Sequence, residues 1–173
     1  MARSADGAWL LLASGNQLLL LDAEGLRVRR SYALASRDGR AVSTLAALRT
    51  AALRRSFVLA LRDLPELWEI SYDPHAEDFY EGLVHDFRMG EGVAQRGFLG
   101  VRRIALPQPL RELVLSADQA EALGRGADGA ELQVVNLDVR RRVAALPLAE
   151  GLRRYGLTLS ADGARLQGPA AMR

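Results

Sequence analysis

The most constraining feature of this chain is its punctuation. Apolar runs of five or six residues are each broken off by a turn signal of two to four residues, and helix-like spacing is rare. Ala8 to Ala13 reads as a buried strand, Gly15-Asn16 as a turn and Gln17 to Asp22 as the partner strand, followed by Glu24-Gly25 and then Leu26 to Leu34. Ser56 to Leu61 and Leu67 to Tyr72 repeat the rhythm across a break carrying Asp63 and Pro65, residue types that end ladders. Ile104 to Leu106, Glu112 to Leu115, Leu132 to Leu137 and Arg142 to Leu146 continue it. Strands alternating with turns along the whole chain predict an all-β architecture. Val42 to Leu53, dense in leucine and alanine, fits a helix as well as a strand, and Gln119 to Gly124 is a weaker helical candidate.

An internal repeat narrows the β reading. Ser4-Ala5-Asp6-Gly7-Ala8 recurs as Ser116-Ala117-Asp118-Gln119-Ala120 and as Ser160-Ala161-Asp162-Gly163-Ala164. The last two copies are separated by one propeller-blade length of roughly 40 to 50 residues. An Asp-Gly turn before an apolar strand makes the tight corner a four-stranded blade needs, and repetition lets neighbouring blades bury each other's faces. The expectation is a single domain over residues 1–173, a partial propeller of three to four blades. Open sheet edges are expected where further blades would sit, and with them a tendency to self-associate.

Composition then excludes function classes. Gly15, Asn16 and Gln17 interrupt the apolar stretch from Trp9 to Leu21, so no run reaches the roughly 18 residues of a membrane span. Met1 to Gly7 has neither an apolar signal core nor a cleavage site. The absence of cysteine removes disulfides, thiolate metal sites and the attachment motif of c-type heme. A net charge of +2, from 23 basic and 21 acidic residues spread along the chain, argues against nucleic acid as a partner. Every basic residue is arginine.

Few residues are left to carry chemistry. There is no phosphate-binding loop, dinucleotide fingerprint, nucleophile elbow or metal-spaced pair of histidines. Glu77, Asp78 and Glu81 form an acidic patch without the spacing of an acid/base pair. His75 sits in a polar Asp-Pro turn and reads as solvated. His85 closes the run Tyr80-Glu81-Gly82-Leu83-Val84 and opens into Asp86-Phe87-Arg88-Met89-Gly90-Glu91-Gly92. A histidine at a strand end beside a glycine-bearing loop is either a hydrogen-bonded core residue or a ligand contact, with Asp86 able to orient its ring. Arg88, Arg96, Arg102 and Arg103 follow, and guanidinium forks suit bidentate capture of carboxylates.

Two phrases carry a family resemblance. Leu59-Ala60-Leu61-Arg62-Asp63-Leu64-Pro65-Glu66-Leu67-Trp68-Glu69-Ile70-Ser71-Tyr72-Asp73-Pro74, continuing through Gly82-Leu83-Val84-His85-Asp86, resembles the d1-heme propeller of the cytochrome cd1 nitrite reductase family, as does Val134-Val135-Asn136-Leu137-Asp138-Val139-Arg140-Arg141. The match runs from about Ser56 to Leu148 and is closest to the family's dihydro-heme d1 dehydrogenases. The resemblance implies a partial propeller of the eight-bladed d1 type that binds heme d1 or dihydro-heme d1, in a heme d1 biosynthesis or denitrification role. It implies His85 as axial ligand to the heme iron or proton acceptor, with Arg88, Arg102 and Arg103 pairing with the tetrapyrrole's carboxylates. It also implies an electron-acceptor cytochrome as partner and a periplasmic location. Alternatives are the nitrite reductase d1 domain itself and a non-catalytic propeller module. After Arg141 the family continues into a glycine-rich turn with a second histidine; here the chain reads Leu148-Ala149-Glu150-Gly151-Leu152-Arg153-Arg154-Tyr155-Gly156.

Overall fold

The computed structural model describes residues 1–81 and 93–168. Three four-stranded antiparallel meanders carry the fold. Sheet one is β1 (Ala2–Arg3), β2 (Trp9–Ser14), β3 (Gln17–Asp22) and β4 (Val28–Ala33). Sheet two opens with β5 (Leu45–Ala51), β6 (Ser56–Leu61) and β7 (Glu66–Ser71). An insertion bearing a small hairpin of β8 (Phe79–Glu81) and β9 (Val93–Gln95) precedes its fourth strand, β10 (Val101–Ala105). Sheet three is β11 (Glu112–Leu115), β12 (Glu121–Arg125), β13 (Glu131–Asn136) and β14 (Arg141–Pro147). A helix, α1 (Leu148–Tyr155), and the hairpin of β15 (Thr158–Leu159) and β16 (Leu166–Gln167) follow.

The first strand of each sheet lies beside the first strand of the next, β1 against β5 and β5 against β11. Side chains cross these joints: Thr50 Oγ1 donates to the Arg3 carbonyl at 2.8 Å, and Leu53 N donates to Gln119 Oε1 at 2.8 Å. Sheets that share an inner ring of first strands and stack face against face form a sector of a β-propeller.

Strand alternation explains the stacking. Every residue of β6 is buried. Phe57, Leu59 and Leu61 join Trp68, Ile70 and Tyr72 against Leu11, Leu18 and Leu20 of sheet one. Val58 and Ala60 face the other way, with Leu67 and Ile104, against Leu113, Ala122 and Val135 of sheet three. A strand buried on both faces reads as a continuous apolar run, which is what the sequence shows there. The far face of sheet three (Val114, Leu123, Leu132, Val134) is closed by Leu148, Leu152 and Tyr155 of α1 together with Leu157 and Leu166. Gly151 permits that approach, since a Cβ there would meet the Leu132 side chain at 2.7 Å.

Both helical candidates are corrected. Within Val42 to Leu53 the chain forms β5, and within Gln119 to Gly124 it begins β12, because both segments are buried between sheets where pairing overrides propensity. The one helix among the described residues is α1, at a place where no element was expected. It starts after Pro147 and stops at Gly156 in the left-handed conformation (φ 61°).

The repeated Ser-x-Asp phrase is one recurring turn, with a fourth copy at Ser36-Arg37-Asp38-Gly39. In each, the serine hydroxyl donates to the aspartate (2.5–2.6 Å) and accepts from the backbone N–H five residues on, at 2.9–3.0 Å. The aspartate accepts from the N–H two residues beyond itself, at 3.0–3.1 Å. The residue after it has positive φ, taken by Gly7, Gly39 and Gly163 and, with strain, by Gln119 (φ 57°). The serine hydroxyl and then the backbone N–H hold the Asp38, Asp118 and Asp162 carboxyls below the ordinary range. At Asp6 burial pulls upward, and the Ser4 hydroxyl, the Ala8 N–H and Arg55 outweigh it.

A pKa lower in the folded state stabilises the fold fully above about pH 4 and ceases to do so as pH falls through the folded value. Asp118→Asn is therefore expected to lower the urea midpoint at about pH 7 and to match the parent at about pH 2. Curves that stay equally separated at both pH values would contradict this account.

Candidate functional site

In each meander the turn between strands one and two and the turn between strands three and four project from the same end of the propeller. Sheets one and three make the second of these turns with residues 23–27 and 137–140, whereas sheet two spends residues 72–100 on it. The insertion is thus rooted at the end that also carries the turns 52–55, 116–120 and 137–140.

His85 and Arg88 lie outside the described residues. Their flanks are built as follows. Leu99 N donates to the Ser71 carbonyl at 2.7 Å, and the Leu99 carbonyl accepts from Arg30 Nη1 at 2.7 Å and Tyr32 Oη at 2.9 Å. Phe98 packs edge-on against Trp9, with ring centroids 6.0 Å apart. One leg of the insertion therefore leans on sheet one. The other leg supplies Phe79, 5% exposed, whose ring faces the Arg102 guanidinium at 5.0 Å and that of Arg140 at 5.7 Å.

Arg102 and Arg103 are consecutive on the outermost strand of sheet two, so their side chains leave opposite faces. Arg103 points toward sheet one. It stacks on Trp68 (4.4 Å), donates to the Ala35 carbonyl (2.8 Å) and pairs with Glu66 (3.5 Å), which also accepts from Trp68 Nε1 at 2.7 Å. Its guanidinium is occupied in joining the two sheets.

Arg102 points toward sheet three. Its Nη2 donates to the Glu77 carbonyl at 3.0 Å, while its Nε is buried without a hydrogen-bond partner. Burial, and then the charge of Arg140, push its pKa down. Around it lies a cleft of about 320 Å³ lined by Arg54, Ser71, Asp73, Ala76, Glu77, Arg102, Leu137, Asp138 and Arg140. Arg54 is held by Glu69 (2.9 Å) and Asp138 (2.6 Å). Burial lowers its pKa, but the bonds to these two carboxylates outweigh that and raise it. Arg140 makes no ion pair among the described residues.

The cleft thus offers one half-engaged and one unpaired guanidinium, an arrangement suited to a carboxylate. Arg54 and Arg140 were not among the sequence-predicted residues. The signal for Arg140 was the Asn136-Leu137-Asp138-Val139-Arg140-Arg141 phrase itself. His75 is exposed in its turn, its N–H donating to Asp73 Oδ1 at 3.1 Å. Arg96 is exposed, and Asp78 pins the loop by accepting from Gly97 N at 2.9 Å. Among the described residues no group of three His, Cys, Asp or Glu could hold a metal ion, and no helix is long and apolar enough to cross a membrane.

No family model matches the chain. Over 152 residues, 86% of its length, it is 34% identical to the dihydro-heme d1 dehydrogenase of Pseudomonas aeruginosa, of which it covers 26%. The chain is a relative of dihydro-heme d1 dehydrogenase. The solved structure of dihydro-heme d1 dehydrogenase NirN in complex with DHE agrees in fold, with a TM-score of 0.66 at 30% identity over 85% of this chain and 27% of that one. The chain spans about a quarter of the length of these relatives. The β-propeller domain of Myceliophteria thermophila Cps50 (Swd1) matches at 14% identity, with a TM-score of 0.56 over 84% of this chain and 42% of that one, which bears on the fold alone. The family resemblance carried by the Pro65 to Pro74 and Val134 to Arg141 phrases and the partial-propeller expectation both agree with these findings.

Proposed function

We propose that this chain serves heme d1 biosynthesis by binding a d1 tetrapyrrole at the propeller end that carries the 72–100 insertion. The observation that carries the proposal is the match to dihydro-heme d1 dehydrogenase across most of the chain. The Arg102 cleft supports it chemically, because a buried Nε without a partner is relieved by an incoming carboxylate. Arg102 and Arg140 hold a carboxylate arm of the ligand, and Phe79 keeps both guanidiniums in place. Arg103, committed to Trp68, Glu66 and Ala35, fixes sheet two to sheet one beneath them. Arg88 and His85 belong to the same insertion, His85 as axial ligand or proton acceptor.

The tetrapyrrole, when bound, brings the redox-active macrocycle, and the protein's share is binding, orientation and the handling of protons. Oxidation of dihydro-heme d1 requires an electron acceptor, for which a periplasmic cytochrome of a denitrification system is the partner we propose.

Titration with heme d1, followed by the Soret band, tests the reading. Arg102→Gln is expected to weaken binding about tenfold or more with the band position unchanged, as for the loss of a charge-assisted hydrogen bond. His85→Ala is expected to move the band. Parent-like affinity in the first variant together with a parent-like spectrum in the second would remove the proposed site.

A further inference from the structure

A second cleft, of about 670 Å³, opens at the opposite end of sheets two and three, where the turn after β12 and the link into β11 lie. Its floor is made by small residues (Ala46, Ala47, Gly126, Ala127, Gly129 and Ala164), and four arginines surround it: Arg49 of β5, Arg111 just before β11, Arg125 at the end of β12 and Arg165 beside β16. Glu112 is the one carboxylate in the lining. It is fully engaged, one oxygen on Arg125 Nε and the other accepting from Leu166 N at 2.5 Å. Arg125 also donates to the Ala164 carbonyl at 3.0 Å.

Arg49, Arg111 and Arg165 make no ion pair with a carboxylate within 4 Å among the described residues, although the Arg165 charge acts on Asp162. The Arg49 guanidinium donates only to the carbonyl of its own neighbour, Leu48, at 2.8 Å. All three are exposed and reach the cleft from three separate elements; what sets the group apart from an open arginine face is that it lines a concavity.

We propose that this cleft binds a compact polyanion carrying two or more carboxylate or phosphate groups. Guanidinium forks recognise both groups bidentately, and the volume lies in the range of small-molecule sites. The lining contains no aromatic residue, and its one large apolar side chain is Leu166. A nucleobase or a macrocycle therefore finds nothing to stack on, and charge selects the ligand. The site shares no residue with the Arg102 cleft, so the proposal is independent of the tetrapyrrole reading.

Calorimetric titration at constant ionic strength with inorganic pyrophosphate in one arm and citrate in the other tests it. Saturable one-to-one binding of either anion is expected, and the stronger arm tells which group the site prefers. Arg49→Gln with Arg111→Gln is expected to weaken it about a hundredfold, at about tenfold for each lost charge-assisted contact. Arg102→Gln is expected to leave it unchanged. If the double variant lacks a cooperative melting transition, Arg165→Gln alone is expected to lose about tenfold. Absence of saturable binding in both arms, or a folded double variant that binds like the parent, overturns the proposal.

Discussion

Replacing Arg54 with alanine is expected to destabilise the fold by about 3 kcal/mol, whereas Glu69→Gln is expected to lose only about 1 kcal/mol. Glu69 stands on β7 with its side chain 3% exposed. One carboxylate oxygen accepts from Arg54 Nε and from Ser56 Oγ, each at 2.9 Å, and the other oxygen is buried without a partner. Without Arg54 a buried carboxylate keeps one neutral donor, and an orphaned interior charge is the expensive result of breaking such a pair. The lower end of the usual range applies because Arg54 itself is 19% exposed and reaches the rim. With glutamine at 69 nothing charged is stranded, since Arg54 keeps Asp138. That second carboxylate, 64% exposed, is screened by water, so Asp138→Asn is expected to change stability by less than about 1 kcal/mol. Urea unfolding of the three variants at neutral pH decides the order. Equal losses for Arg54→Ala and Glu69→Gln would mean that the carboxylate is solvated in the native state.

The same ion pair marks the boundary of what was legible in the sequence. The strands β3, β6 and β11 could be read to their observed ends because their apolar runs are bounded by polar or turn residues. β5 could not be separated from a helix, since Leu and Ala at that density satisfy both periods and only burial between two sheets chooses. α1 is eight residues long, too short for periodicity to emerge, although Leu148, Leu152 and Tyr155 do fall on one face. The fourth Ser-x-Asp-Gly turn is hidden at the level of the repeat because Arg37 replaces the alanine of the other copies, while the hydrogen bonds depend only on the serine and the aspartate.

For the site, Arg102 and Arg103 stood together in the sequence, and strand alternation sends one to the cleft and the other to a sheet joint. Which is which depends on the flanking sheets, which spacing does not reveal. Arg54 and Arg140 reach the cleft from turns of two different sheets, a juxtaposition set by propeller topology.

Alanine at Gly97 or Gly100 is expected to destabilise the protein by about 2–3 kcal/mol and to loosen the root of the insertion. Neither glycine has positive φ, so the constraint is space. A Cβ at Gly97 would stand 2.2 Å from the Glu77 carbonyl oxygen and 2.3 Å from that of Ala76. At Gly100 it would stand 1.9 Å from the Arg96 carbonyl and 3.0 Å from the Phe79 ring. At Gly97 the obstacles are backbone atoms of the other leg, which yield only if the two legs of the insertion separate; at Gly100 the Arg96 carbonyl belongs to the same leg, whose turn must open, while the buried Phe79 ring belongs to the other.

Separation pulls Leu99 away from Arg30 and Tyr32, and Tyr32 provides the readout. Burial, opposed by the nearby Arg30 guanidinium, pushes its phenol up to about 12. The folded protein therefore loses stability as pH rises from about 10, where an unfolded tyrosine ionises, toward that value. In Gly97→Ala the Tyr32 phenol is expected to titrate closer to 10, seen as earlier tyrosinate absorbance while the circular dichroism of the strands persists. Gly39→Ala serves as the control, because nothing lies within 4 Å of that position and its φ of +70° imposes only local strain of about 1 kcal/mol. If both variants lose the same stability and leave the tyrosine titration unmoved, the close approach at Gly97 does not hold the insertion, and the Arg102 cleft would have to be supported from sheet three alone.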